Sequence, residues 1–102
     1  MVILLHREPS YSHEAFVERL RADHAPMATD LPGLERYSTA VPSDPEAASV
    51  DGISELYFES RAAMAEAFET DLGRRVQADA AEFMRIEDNE TLVLDEAVHV
   101  DR

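Results

Sequence analysis

The stretch Gly52-Ile53-Ser54-Glu55-Leu56-Tyr57-Phe58-Glu59-Ser60, followed by Arg61-Ala62-Ala63-Met64-Ala65-Glu66-Ala67-Phe68, contains a change of period. Up to Ser60 the period is two: Ser54, Leu56 and Phe58 fall on one face, and Ile53, Glu55, Tyr57 and Glu59 on the other, which reads as a β-strand. Beyond it Met64, Phe68, Leu72, Val76, Ala80 and Phe83 recur mostly every fourth residue, the spacing of a helix, and Ser60 stands where an N-cap belongs. Gly73 interrupts the run, so two helical pieces are expected, near 61–69 and 72–84.

The same reading extends outward in both directions. Leu34 to Val41 reads as a strand, joined to 52–60 by a polar connection from Pro42 to Asp51. Before it, Ser12 caps a helix whose apolar positions are Phe16, Val17, Leu20, then His24 and Met27. Pro32-Gly33 stops that helix and turns the chain. Met1 to Arg7 is a strand rich in β-formers, apolar at both parities. In Thr91 to Val100, Leu92, Leu94, Val98 and Val100 share a parity, as expected of a last strand with one buried face. The order is βαββαβ in a single domain, 1–102.

That order favours an α+β, ferredoxin-like arrangement: a four-stranded antiparallel sheet with two helices on one face. Two helices cover only one side. The first strand is apolar on both parities, and Tyr37, Ile53 and Tyr57 add apolar surface beyond the helices' reach. The least demanding cover is a second copy of the sheet, packed face to face in a homodimer.

The charge restricts partners. Aspartate and glutamate number 22 against nine basic residues, all arginine, for a net charge of −13. Nucleic acid and anionic membrane surfaces are repelled by such a field and are not expected partners. The acidity fits either a GC-rich codon usage that disfavours lysine or a high-salt cytoplasm that screens the repulsion. The charges are expected on outer helix faces, at Glu14, Glu18, Asp23, Glu66, Glu69, Asp79 and Glu82, and in the 42–51 connection. With 45% hydrophobic residues the chain can build a core. It has no cysteine, which removes disulfides, thiolate nucleophiles and Cys-based metal sites. The apolar run Val2 to Leu5 is too short for a signal-peptide core or a membrane span, and a cytoplasmic location is expected.

Among residues that carry chemistry, His24 lies on the apolar stripe of the first helix and should face the sheet. An imidazole there can shuttle a proton to or from a bound carbonyl or hydroxyl compound, or it can be a helix-end histidine bonded to a backbone carbonyl. His6, at the end of the first strand, reaches the same pocket if its parity faces the helices. His13 and His99 are read as solvated. The four histidines are scattered without ligand spacing, so no metal is expected. Tyr37 and Tyr57 can offer a phenol to a ligand or to the dimer, and Glu55 is expected to pair with Arg36 across strands. Phe58, Met64, Phe68 and Phe83 are either pocket lining or ordinary core. Three glycines cannot supply a phosphate-cradling loop or dinucleotide fingerprint, so no cofactor is expected.

Four segments, Ser12-His13-Glu14-Ala15-Phe16, His24-Ala25-Pro26-Met27-Ala28, Leu31-Pro32-Gly33-Leu34-Glu35-Arg36-Tyr37 and Asp51 to Ser60, in this order and together with Asp79 to Phe83, resemble the EthD family. The resemblance implies a dimeric α+β barrel with a pocket between helices and sheet. His24-Ala25-Pro26 is similar to the family's His-x-Pro motif, which favours a functional His24. The chemistry implied is cofactor-independent proton transfer, of isomerase, dehydratase, cyclase or oxygenase type, on a small apolar oxygenated or aromatic compound. The alternative is a non-catalytic binding or accessory protein of an oxygenase or degradation system. Thiol-dependent mechanisms of relatives do not carry over to a chain without cysteine.

Overall fold

Residues 1–102 are all described in the computed structural model. The strands are β1 (Val2–Leu5), β2 (Leu34–Ala40), β3 (Gly52–Phe58) and β4 (Glu90–Leu92). They form one antiparallel sheet in the order β2-β3-β1-β4, the ferredoxin-like topology that the βαββαβ order led one to expect. Between β1 and β2 lie α1 (His13–Glu18), a π-helical turn (Arg19–His24) and α2 (Ala25–Ala28); between β3 and β4 lie α3 (Arg61–Glu69) and α4 (Asp71–Phe83). No helix is long and apolar enough to cross a membrane.

Side-chain caps mark where helices start. The Ser12 hydroxyl accepts from the Ala15 N–H, that of Ser60 from Ala63, and that of Thr70 from Gly73. Gly33 sits at φ +75°, a left-handed conformation that favours glycine, and its missing Cβ leaves room for Ala63.

The first helical segment is not uniform. The Ala25 N–H donates to the Leu20 carbonyl, one residue further back than in an α-helix. Pro26 has no N–H for the Ala22 carbonyl and its ring crowds that oxygen, so a widened turn just before it relieves the clash. Gly73 does not break the second segment as expected. The break falls at Thr70, and Gly73 lies buried inside α4, where a Cβ would come within 2.3 Å of the Ala67 carbonyl oxygen. It is the residue that lets α4 leave α3 so closely.

The last strand is also shorter than its parity suggested. β4 pairs only through Glu90, Thr91 and Leu92, because it runs antiparallel to β1 and Leu92 already faces Val2. Past that point β1 offers one residue, and Val93, Leu94, Val98 and Val100 are left exposed.

The register places Ile3, Leu5, Tyr37, Thr39, Ser54 and Leu56 on the helix side of the sheet. Two clusters pack there. Leu5 meets Phe16, Leu20, Phe83 and Met84, while Leu56 meets Ala28, Leu31, Ala67 and Val76. On the other side, Val2, Leu4, Ile53, Glu55 and Tyr57 are only half buried. Glu55 stands opposite Ser38 and forms no ion pair, contrary to the expected bridge to Arg36, which instead lies over the Tyr57 ring. The Tyr57 hydroxyl donates to Glu96 of the C-terminal segment at 3.1 Å. His13 is not solvated but half buried, with Nδ1 3.6 Å from an Asp51 carboxylate that also takes the Arg7 backbone N–H.

Candidate functional site

The two apolar clusters do not close on each other. Between them is a cavity of about 390 Å³, lined by residues of both and floored by Ile3 of β1 and Ser54 of β3. Its walls are mainly apolar, from Leu5, Phe68, Val76, Ala80, Met84 and Ile86. The polar lining residues are His24, Ser54, Gln77, Asn89 and Thr91.

His24 closes the π-helical turn and is 7% exposed. Its Nδ1 is 2.7 Å from Asp79 Oδ2 of α4. The same carboxylate is gripped by Arg19, whose Nη2 donates to Oδ1 at 2.6 Å and Nη1 to Oδ2 at 3.0 Å. The Arg19 guanidinium lies 4.7 Å from the centroid of the Phe83 ring, and the His24 ring meets Phe83 edge-on at 5.4 Å between centroids. A wholly buried Phe83 thus fixes both side chains from behind.

The electrostatics follow from this geometry. The hydrogen bonds from Arg19 hold the Asp79 carboxyl below its ordinary range; burial opposes them, and the His24 bond adds to them. The same contact raises the guanidinium of Arg19. Because Asp79 is ionised at neutral pH, Nδ1 of a neutral His24 must carry the proton and donate it, which leaves the lone pair on Nε2. Nε2 has no hydrogen-bond partner in the chain and is not sealed off, and His24 is one of the residues that line the cavity. An imidazole set in this way can take up a proton at Nε2, and the imidazolium that forms is stabilised by Asp79.

Of the side chains singled out from sequence, the structure brings His24 and Phe68 onto this cavity. Phe83 lies behind His24, and Phe58 and Met64 line a separate surface pocket beside Met1 and Leu94. Tyr37 lines a shallow pocket with Arg21 and Thr39. Burial raises its phenol, and the neighbouring Ser54 hydroxyl works against that. His6 does not line the cavity; its backbone N–H donates to Asn89 Oδ1.

Asp79, expected on an outer helix face, points inward with its side chain 11% exposed. Arg19 and Ser54 were not singled out as site residues. The signals existed: Asp79 is three residues after Val76 and four before Phe83, and Arg19 three after Phe16, each at the margin of an apolar stripe. Ser54 shares a parity with Leu56.

A family model described as EthD domain matches residues 8–87. No curated protein matches. Among solved structures, an ethyl tert-butyl ether d (EthD) family protein from Bacillus halodurans C-125 superposes with a TM-score of 0.78 at 23% identity, covering 94% of this chain and 96% of that one. A dimeric ferredoxin-like protein of unknown function from Thermobifida fusca YX gives 0.69 at 13% identity, with 87% and 81% covered. HapK from Hahella chejuensis gives 0.68 at 17% identity, with 95% and 96% covered. At these identities the likenesses speak to the fold.

Proposed function

Because this chain belongs to the EthD domain family, we propose that it binds a small, largely apolar oxygenated or aromatic molecule between helices and sheet and moves protons on it through His24, without a cofactor. The observation that carries this reading is a buried imidazole that lines an open, mainly apolar cavity, with its Nδ1 committed to Asp79 and its Nε2 without a partner in the chain.

In the proposed reaction, Nε2 accepts a proton from an acidic C–H or O–H of the ligand, and the electron pair moves onto the ligand's oxygen. Asp79 stabilises the imidazolium, and Arg19 keeps Asp79 anionic while it does so. Return of the proton to a different atom gives an isomerisation, and return to a leaving hydroxyl gives a dehydration. General acid–base catalysis of this kind contributes on the order of 10²- to 10⁴-fold. The half-buried outer sheet face, with Val2, Leu4 and Ile53, supports a homodimer through that face. The neighbour from Thermobifida fusca is described as dimeric.

The test is exchange of the α-hydrogens of 1-tetralone in D2O, followed by proton NMR. The protein should speed exchange over buffer, and His24→Ala should return the rate to background while its circular dichroism stays unchanged. Undiminished exchange in that variant refutes the role of His24. Binding of the ketone with no exchange at all assigns the cavity to a carrier or accessory role.

A further inference from the structure

We infer that the cavity selects an uncharged ligand and that Ser54 holds that ligand's oxygen. This deepens the reading of the cavity as a small-molecule site and rests on it.

The first half of the inference comes from charge. No lysine or arginine lines the cavity. Arg19 stands behind it with its guanidinium already paired to Asp79, and the Met1 ammonium donates to the Leu56 carbonyl at 2.9 Å. A carboxylate or phosphate entering would give up its hydration for apolar walls with no lysine or arginine to receive it, and with any positive charge on His24 already matched by Asp79, inside a chain of net charge −13. A neutral carbonyl or hydroxyl compound has no such cost. At interior packing density the volume of about 390 Å³ holds roughly twenty non-hydrogen atoms.

The second half comes from elimination among the polar lining groups. Asn89 is spent: Oδ1 accepts from the His6 N–H, and Nδ2 faces the Met84 sulfur at 3.5 Å. Gln77 and Thr91 are exposed and belong to the rim. Ser54 is different, a hydroxyl 5% exposed in the middle of β3, between Ile3 and Thr39 on the neighbouring strands. A buried hydroxyl on an apolar floor calls for a partner. A hydroxyl has one donor and two acceptor sites, so Ser54 keeps capacity for a ligand oxygen. His24 and Ser54 are then the two buried polar lining residues left free to meet a ligand.

The test uses two probes of one skeleton, neutral 2-naphthamide and anionic 2-naphthoate, titrated into the full chain at pH 7.5 and followed by calorimetry and by amide shifts of cavity residues such as Ile3 and Phe68. The naphthamide should bind at least tenfold tighter. Ser54→Ala should weaken the naphthamide three- to tenfold and leave the naphthoate alone. Naphthoate binding as tightly as naphthamide, no shift at the cavity residues, or an indifferent Ser54→Ala overturns the inference. Charge preference without deuterium exchange on 1-tetralone leaves this inference standing and removes the proton-transfer reading; exchange without charge preference does the reverse.

Discussion

Asp79 decides what His24 can do, and Arg19 decides what Asp79 can do. The bidentate clamp is partly buried, with side-chain exposures of 19% and 11%, so its loss matters more than that of a surface pair. Asp79→Asn keeps the shape and removes the charge, leaving Arg19 half-enclosed without its best counterion; about 2–3 kcal/mol of stability should be lost at pH 7. The pH dependence has a definite sign. Asp79 is held below the ordinary carboxylate value of about 3.9, so its contribution is complete above that value and is lost as pH falls through the lowered one. Urea midpoints at pH 7, 4 and 3 should therefore show the gap between wild type and Asp79→Asn closing as the wild type protonates, and a gap that stays constant with pH would refute this role for the pair. His24 was legible because it interrupts an apolar stripe. Asp79 and Arg19 were not, since a charge at the margin of a stripe can rotate inward or outward, and the choice depends on a partner 60 residues away.

At the level of elements, Gly73 shows how a residue can be noticed for the wrong reason. Its helix propensity is poor by about 1 kcal/mol relative to alanine, and on that ground alone Gly73→Ala should stabilise α4. The geometry reverses the sign: the added methyl would meet the Ala67 oxygen at 2.3 Å and the Phe68 Cα at 2.6 Å, both backbone atoms that cannot swing aside. Gly73→Ala should cost about 3 kcal/mol or more in chemical denaturation and loosen the Phe68 side of the cavity. A stabilised variant would mean that the two helices can part freely. The helix boundaries themselves were legible to within a residue or two, because Ser12 and Ser60 cap in the ordinary way. The π-helical turn was not legible: Pro26 forces a local adjustment, but its form is chosen by how Leu20 and His24 pack. The length of β4 was set by its neighbour, since a strand extends only as far as β1 pairs with it.

The whole molecule exposes 6626 Å² and carries one excess negative charge per roughly 500 Å², a density at which self-repulsion should strain it in dilute buffer. Raising KCl from 0.05 to 1 M, where the screening length falls to about 3 Å, should raise the melting temperature by several degrees. An unchanged melting temperature would show that the charges are already well spaced. The proposed dimer is tested separately: Ile53→Asp places a carboxylate in the middle of the outer sheet face and should give a monomer by light scattering with its circular dichroism retained. A wild type that is already monomeric rules the dimer out. The sequence alone determined the order of elements, the sheet with a helix-covered face and the inward position of His24, because periodicity and caps are local and each residue's face follows from its neighbours. The tertiary structure alone decided that Asp79 and Arg19 turn inward, that two apolar clusters stop short of each other, and that Ser54 floors the gap between them. Those facts depend on distances between segments far apart in the chain, and the pattern within any one segment does not contain them.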